Sequence, residues 1–418
     1  MTEPQPTLLR SIAWIVIAGA ALRIVWALLV PVMPISDSVA YDTFARMLAE
    51  HGVFGWEPDK PFAFWPPGTS FLHGALYKLF GIHHEAIVAL NIALTIGITL
   101  SCARLALRYF GERVAYWTAV LISFWPTLIF YSTVLASELP FLFFCVAALD
   151  VWTSDSGKHG VLRALGAGAL LGCAALVRPV ALLLPAVYGG AVLLHRGITR
   201  EEFLRQFRTG SLAVIAMLVV ISPWTYRNYQ LYGEPVLIST NGGITFWMGN
   251  TPGTDGGYMD IPTELHGLSD LEQEKILGAR ARQYILDEPG TFALNTLRKF
   301  VALYGNESIG VVWNEQGIAQ TFGAGSVLPL KRFTQLAWLA IVLCAVIGCV
   351  ALIKEHGWRH VAFSPILISI AYFTAIYIVT VAQDRYHLSF AGQIGIVAAA
   401  GLALLQRRAT PRRLAMGT

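Results

Sequence analysis

The heptapeptide Ser36-Asp37-Ser38-Val39-Ala40-Tyr41-Asp42 sets a carboxylate and a phenol one helical turn apart, directly beyond the first long apolar run. A carboxylate within hydrogen-bond reach of a hydroxyl can accept its proton, so Asp37 is a candidate general base. Other charges stand at the ends of apolar runs. Glu138 opens one, within Ser137-Glu138-Leu139-Pro140, while Arg178, Arg227 and Arg385 flank others. A guanidinium offers phosphate a planar, bidentate fork of charge-assisted donors. Carboxylates and arginines gathered at one membrane face would suit a phosphate-linked anion together with a base for a hydroxyl acceptor.

The elements that must hold these residues are set by composition. Of 418 residues 55% are hydrophobic and only 13% are charged, about half the charged share of a soluble domain. The excess apolar surface calls for a bilayer. The net charge of +4 lies in short clusters between apolar spans, which does not point to nucleic acid. Five cysteines (Cys102, Cys145, Cys173, Cys344, Cys349) sit within apolar runs and read as small buried hydrophobes. The run after Arg10 continues to Val30, long enough to act as an anchor and not a cleaved leader. Apolar runs at 11–30, 86–107, 114–132, 137–153, 161–177, 180–194, 209–224, 333–353, 360–381 and 388–405 predict about ten spans.

Charge orients them. Arg10; Arg104, Arg108 and Arg113; Lys158 and Arg163; Arg196, Arg200, Arg205 and Arg208; Lys354 and Arg359; and Arg407, Arg408, Arg412 and Arg413 fall in every second connection and near both termini. The positive-inside rule puts these cytoplasmic. The other side then carries a first loop, 31–85, and a long loop, 225–332. Ser36 is placed to cap a helix ending near Gly52, with an amphipathic piece from Phe71 to Phe80 after Pro66-Pro67-Gly68. In the long loop Ser269 starts a helix to about Asp287, and Pro289 another toward Tyr304. The chain divides into 1–224, a membrane module with the first loop; 225–332, the long loop; and 333–418, the last spans with a basic tail. Asp37, Glu138, Arg178, Arg227 and Arg385 all fall on the outer side, where the positive-inside bias does not account for arginines.

With these landmarks the chain resembles the bacterial GT-C superfamily of polyprenyl-phosphate-sugar-dependent glycosyltransferases, which includes protein O-mannosyltransferases and aminoarabinose transferases. The resemblance rests on Asp37-x-x-x-Tyr41, Pro66-Pro67, Ser137-Glu138-Leu139-Pro140, Arg178-Pro179, Pro223-Trp224-x-x-Arg227-Asn228, Gly249-Asn250 and Asp384-Arg385-Tyr386, in that order. It implies an all-α polytopic fold, a GT-C-like bundle with amphipathic helices in two periplasmic loop regions. It also implies a multi-pass protein of the bacterial inner membrane with cytoplasmic termini and a periplasmic site. The implied function is inverting transfer of a monosaccharide from a polyprenyl-phosphate to an acceptor hydroxyl on a glycan, lipid or protein.

The resemblance further implies roles. Asp37 is the base, or holds a metal that serves as one; its plainer reading is an acid favoured by a helix N-terminus. Glu138 places the acceptor or pairs structurally with an arginine. Arg178 and Arg385, with Arg227 third, hold the donor phosphate, unless they snorkel to lipid head groups. Tyr41, Trp65, Pro66 and Tyr386 position substrate. Aminoarabinose transferases have a lysine before the two prolines, where this chain has Trp65. Asp42 reads as solvated or structurally paired, Arg23 as structural, and His51, His73, His83, His84 and His266 as surface or interface groups. No cofactor is required by the sequence, and a divalent metal stays open. The competing readings are a flippase or transporter, and a polymerase or ligase, of lipid-linked saccharides.

Overall fold

A computed structural model describes residues 5–154 and 159–409; Lys158, Arg412 and Arg413 lie outside them. Among the described residues every regular element is helical, save an isolated antiparallel bridge between Gly55 and Pro61. The first apolar run is α1 (Pro6–Leu29), and the first loop holds α2 (Asp37–His51) and α3 (Gly68–Phe80). Then come α4 (His84–Phe110), α5 (Glu112–Phe124), a short α6 (Pro126–Phe130), α7 (Glu138–Thr153), α8 (Gly160–Val177), α9 (Leu184–Arg196) and α10 (Arg200–Tyr232). The long loop carries α11 (Gly242–Met248), α12 (Asp270–Asp287), α13 (Pro289–Gly305), α14 (Ile309–Val312) and α15 (Glu315–Phe322). The chain ends in α16 (Val327–His356), α17 (Trp358–Ala362), α18 (Pro365–Val379) and α19 (Ala391–Ala409).

Seven of the described helices are long and apolar enough to cross a membrane, or eight if α5 and Pro126–Thr133 form one span bent by 52°. The expected runs at 137–153 and 360–381 are also helical. Their helices, α7 with 16 residues and α18 with 15, are shorter than the ~20 residues of a full straight span. The span ending the chain is the most enclosed, with 83% of its apolar window buried, against 17% for the span of α16 and 22% for α1. At the α16–α19 contact a Cβ on Gly348 would sit 1.9 Å from the Val397 carbonyl oxygen, so only glycine allows this approach.

Local signals set the loop helices. Ser269 and Glu272 form a reciprocal capping box at the start of α12, and proline opens α13. Gly52, in the left-handed region at φ 70°, ends α2. Ser36 stands at the N-cap of α2 as expected but makes no side-chain capping bond. Its backbone lies at φ 51°, where it serves to turn the chain out of the preceding connection.

The bend after α5 explains Arg23. Pro126 has no N–H for the carbonyl four residues back, that of Ile122. Arg23 Nη2 donates to that Ile122 carbonyl at 3.1 Å, and Nη1 donates to the carbonyls of Ser123 (2.7 Å) and Gly19 (2.9 Å). A deeply buried arginine thus replaces backbone hydrogen bonds that the break removes. Arg23→Leu should strand two buried carbonyls at about 1–3 kcal/mol each. The expected outcome is a clear fall in the thermal unfolding midpoint in detergent; an unchanged midpoint would show that the break is stabilised by something else.

Candidate active site

Four elements distant in sequence bring their charged ends to one place. α2 begins at Asp37 and α7 at Glu138. Arg178 is extended (φ −147°, ψ 119°) between α8 and the 3₁₀ turn Pro179–Leu183, as a residue before proline must be. Arg385 precedes the 3₁₀ turn Tyr386–Phe390 that leads into α19. Arg385 Nη1 lies 2.6 Å from Asp37 Oδ2 and 3.9 Å from Glu138 Oε1, and Arg178 Nη2 lies 2.6 Å from the same Glu138 oxygen. The charges alternate along the chain Asp37–Arg385–Glu138–Arg178 and sum to zero, so none is left unpaired where water is scarce.

The two arginines differ in what they leave free. All the N–H groups of Arg178 have acceptors: Nε and Nη2 donate to Ser137 Oγ (3.0 and 2.8 Å), Nη2 also to Glu138, and Nη1 to Ser389 Oγ (2.8 Å) and Tyr377 Oη (3.5 Å). Arg385 donates through Nε to Gln383 Oε1 at 2.9 Å, and its Nη1 is ion-paired with Asp37. Its Nη2 makes no hydrogen bond among the described residues. The carboxylates differ too. The Asp37 side chain is 21% exposed and Glu138 only 1%, and Glu138 Oε2 is buried with no partner.

Aromatic rings fix both guanidiniums. The Tyr386 ring lies 5.5 Å from the Arg178 carbon and 5.6 Å from that of Arg385, and Trp313 stacks 4.9 Å from Arg385. Tyr41 is buried edge-on to Trp65 at 5.7 Å. Burial raises its phenol above the ordinary range, nearby Asp37 adds to this, and Tyr41 stays a neutral hydroxyl. Pro66 is buried. The glycine after the two prolines explains the turn: a Cβ on Gly68 would lie 2.7 Å from the backbone of Leu176 and Val177. The first loop therefore abuts the end of α8 just before Arg178.

Arg227 takes no part in this ion-pair chain. Its Nη1 donates to the Phe62 carbonyl (2.8 Å) and Asn228 Oδ1 (3.1 Å), its Nη2 to the Phe54 carbonyl (3.4 Å), and it stacks 4.5 Å from the Trp224 ring. It ties the first loop to α10. Asp42 is held by Arg46 (2.7 Å), His84 (3.3 Å) and the Tyr77 hydroxyl. Burial opposes its ionisation, but these three partners outweigh burial and draw the carboxyl down to about 2. His73, expected near the surface, is fully buried in α3 with neither ring nitrogen bonded, and burial lowers it to about 4. Among the described residues no three His, Cys, Asp or Glu side chains are grouped to hold a metal. The two site carboxylates face guanidiniums, so this donor set does not fit a metal.

Ser137, read in the sequence only as part of the Ser137-Glu138-Leu139-Pro140 landmark, completes the site with Tyr377, Ser389, Gln383 and Trp313, which the sequence did not single out. Tyr377 and Ser389 offered only hydroxyls in apolar runs, which are common in membrane helices, and Gln383 and Trp313 offered no such signal. A second set holds the long loop against the Arg385 segment. Lys299, fully buried, donates to the carbonyls of Gly249 (3.1 Å), Thr380 (3.1 Å) and Val379 (3.3 Å) and to Asn250 Oδ1 (3.1 Å). Burial brings its ammonium down to about 8. His387 Nδ1 donates to the Leu303 carbonyl at 2.9 Å and its Nε2 faces Glu307 Oε1 at 3.2 Å; both side chains are fully buried. Trp125 Nε1 donates to Glu307, and Trp338 stacks on the His387 ring at 4.2 Å. A pair so buried depends on both members. His387→Leu should cost about 3–5 kcal/mol by leaving Glu307 unpaired, and His387→Leu/Glu307→Leu should recover most of that. Unfolding midpoints of the two variants decide it; a double variant no better than the single would mean that Glu307 is held by Trp125 alone.

Residues 64–226, under half of the chain, match the family model described as dolichyl-phosphate-mannose-protein mannosyltransferase. No curated protein matches the chain. The fold is similar to that of the oligosaccharyltransferase of Archaeoglobus fulgidus. Against its apo crystal structure the TM-score is 0.57 at 13% identity, covering 96% of this chain and 51% of that one. Against AglB from the same organism, in complex with an inhibitory peptide and a dolichol-phosphate, it is 0.54 at 13% identity, covering 99% and 52%. ArnT from Cupriavidus metallidurans bound to undecaprenyl phosphate aligns over 95% of this chain and 78% of its own, at 17% identity and a TM-score of 0.48. The chain spans about half the length of the archaeal enzyme.

Proposed function

From the premise that this chain is a multi-pass membrane protein of GT-C fold, we propose that it is a glycosyltransferase acting at the periplasmic face of a bacterial inner membrane. It transfers a monosaccharide, hexosyl or pentosyl, from a polyprenyl-phosphate to an acceptor hydroxyl. The observation that carries this reading is the convergence of Asp37, Arg385, Glu138 and Arg178 from four distant elements onto one ion-paired site. The match to the mannosyltransferase family supports it. So does the archaeal relative of similar fold, which was solved with a dolichol-phosphate and a peptide.

In this reading Arg385 receives the donor phosphate, because its Nη2 is uncommitted, while Arg178, with every donor used, fixes Glu138 and the start of α19. Asp37, the more exposed carboxylate, takes the acceptor hydroxyl proton. The acceptor oxygen then bonds to the anomeric carbon as the carbon–phosphate oxygen bond breaks, and the electron pair leaves with the polyprenyl phosphate. A single displacement inverts the centre. Charge grows on the leaving phosphate, so a fixed guanidinium stabilises the transition state more than the ground state. The free, buried Oε2 of Glu138 can accept a hydroxyl or N–H of the bound substrate. Tyr41, Trp65, Pro66 and Tyr386 wall the cleft, and Arg227 acts through the first loop.

Asp37→Asn should lower transfer by about 10²–10⁴ with donor binding retained; turnover within about tenfold of wild type would remove Asp37 as the base. Arg385→Lys keeps the charge but loses the fork, and should lower transfer by about 10²–10³. Arg178→Lys should also lower the unfolding midpoint, and the double variant should be non-additive because both arginines share Glu138. The assay is transfer from a short-chain polyprenyl-phosphate sugar in detergent. Strict additivity would mean that Glu138 does not couple the two arginines.

Orientation has its own test. A cysteine at Tyr258, 67% exposed in the long loop, should react with an impermeant thiol reagent in intact cells. One at Ile198, 73% exposed between α9 and α10, should react only after permeabilisation. The reverse pattern would place the site in the cytoplasm.

A further inference from the structure

At the end of the bundle away from Asp37, four arginines line one recess of about 350 Å³: Arg163 at the start of α8, Arg196 at the end of α9, and Arg205 and Arg208 in the first turns of α10. Trp152 and Leu212 form part of its wall. Arg163 and Arg178 are fifteen residues apart on α8 and its cap, about 22 Å along a helix axis, so the recess and the ion-paired site lie at opposite ends.

The charges here are not cancelled. Glu202 is the carboxylate engaged, and both its oxygens are taken, Oε2 by Arg205 and Oε1 by Gln206 Nε2 at 2.8 Å. Arg196 and Arg208 are exposed and make no hydrogen bond or ion pair among the described residues. Arg163 Nη1 is buried with no hydrogen-bond partner. The adjoining residues 155–158, outside the described set, contain one Asp and one Lys and add no formal charge. Two neighbouring basic residues at this end, Arg104 and Arg108, are by contrast paired with the buried Asp150, at 2.6 and 3.0 Å. A positive-inside bias asks for cations at an interface. It does not ask four of them to converge on one concavity and leave a buried donor unsatisfied, which is costly unless a ligand completes it.

We propose that this recess is a binding site for a phosphate-bearing anion, its phosphate held by the Arg163, Arg196 and Arg208 forks. Such a phosphate can come from an anionic phospholipid headgroup of the facing leaflet, or from a soluble phosphate. The apolar wall and the position between spans suit the headgroup, since basic pockets between spans on the cytoplasmic side recognise anionic lipid. Nothing in this inference depends on catalysis at the other end.

Calorimetric titration of the full chain in neutral detergent tests it, with three probes: dioctanoyl phosphatidic acid, inorganic phosphate and dioctanoyl phosphatidylcholine. Arg385→Gln protein is the reference, so that a phosphate bound at the ion-paired site does not count. The expected result is binding of phosphatidic acid but not phosphatidylcholine, weakened at least tenfold by Arg196→Gln/Arg208→Gln. Both side chains are exposed, so that variant should keep its unfolding midpoint. Arg163→Gln should weaken binding similarly. Phosphatidic acid at least tenfold tighter than inorganic phosphate assigns a lipid headgroup. Equal affinity for the two, lost in the same variants, keeps the site and assigns a soluble phosphate. Binding of neither probe, or binding that the double variant leaves within twofold, overturns the proposal.

Discussion

Charge buried in an apolar bundle must be neutralised, and much of this protein is arranged around that requirement. The Asp37–Arg385–Glu138–Arg178 chain draws its members from the first loop, the start of α7, the end of α8 and the residue before the 3₁₀ turn that leads into α19. An unpaired carboxylate such as Glu138, almost without solvent, would cost several kcal/mol. Each element is therefore held to its neighbours by electrostatics as well as packing. Rigidity of this kind also suits a site meant to stabilise developing charge, because its dipoles need not reorganise during reaction.

The same requirement recurs away from the site. Arg23 satisfies carbonyls that a proline-broken helix leaves open. Lys299 gathers four oxygen acceptors between the long loop and the 379–380 segment. His387 and Glu307 form a sealed pair between that loop and the last span. The loop is thereby fastened at two points on either side of Arg385. At the opposite end the arginine recess leaves charge uncancelled, which is the basis of the proposed anion site.

Aromatic rings from the first loop, the long loop and the segment before the last span border the ion-paired cluster. Tyr386 lies against both guanidiniums, Trp313 covers Arg385, and Trp65 meets Tyr41.

The sequence by itself determined the helical membrane class, because so many apolar residues have nowhere else to go. It also marked the loop helices, through local signals such as Ser269, Pro289 and Gly52. It placed Asp37, Glu138, Arg178 and Arg385 at span ends, since charge inside an apolar run is conspicuous. Only the tertiary structure decided which of these meet. Arg178, Arg227 and Arg385 look alike along the chain, yet two join the ion-pair chain and the third holds backbone carbonyls of the first loop. Ser389 and Tyr377 were invisible because a hydroxyl in an apolar run has no distinguishing pattern until a guanidinium is placed beside it. His73 carried no mark of its burial for the same reason. The run at 137–153 matches α7 to within a residue, whereas the run at 360–381 is divided between α17 and α18 by Ser364, which caps α18, and Pro365, which opens it, a local break that hydropathy does not register.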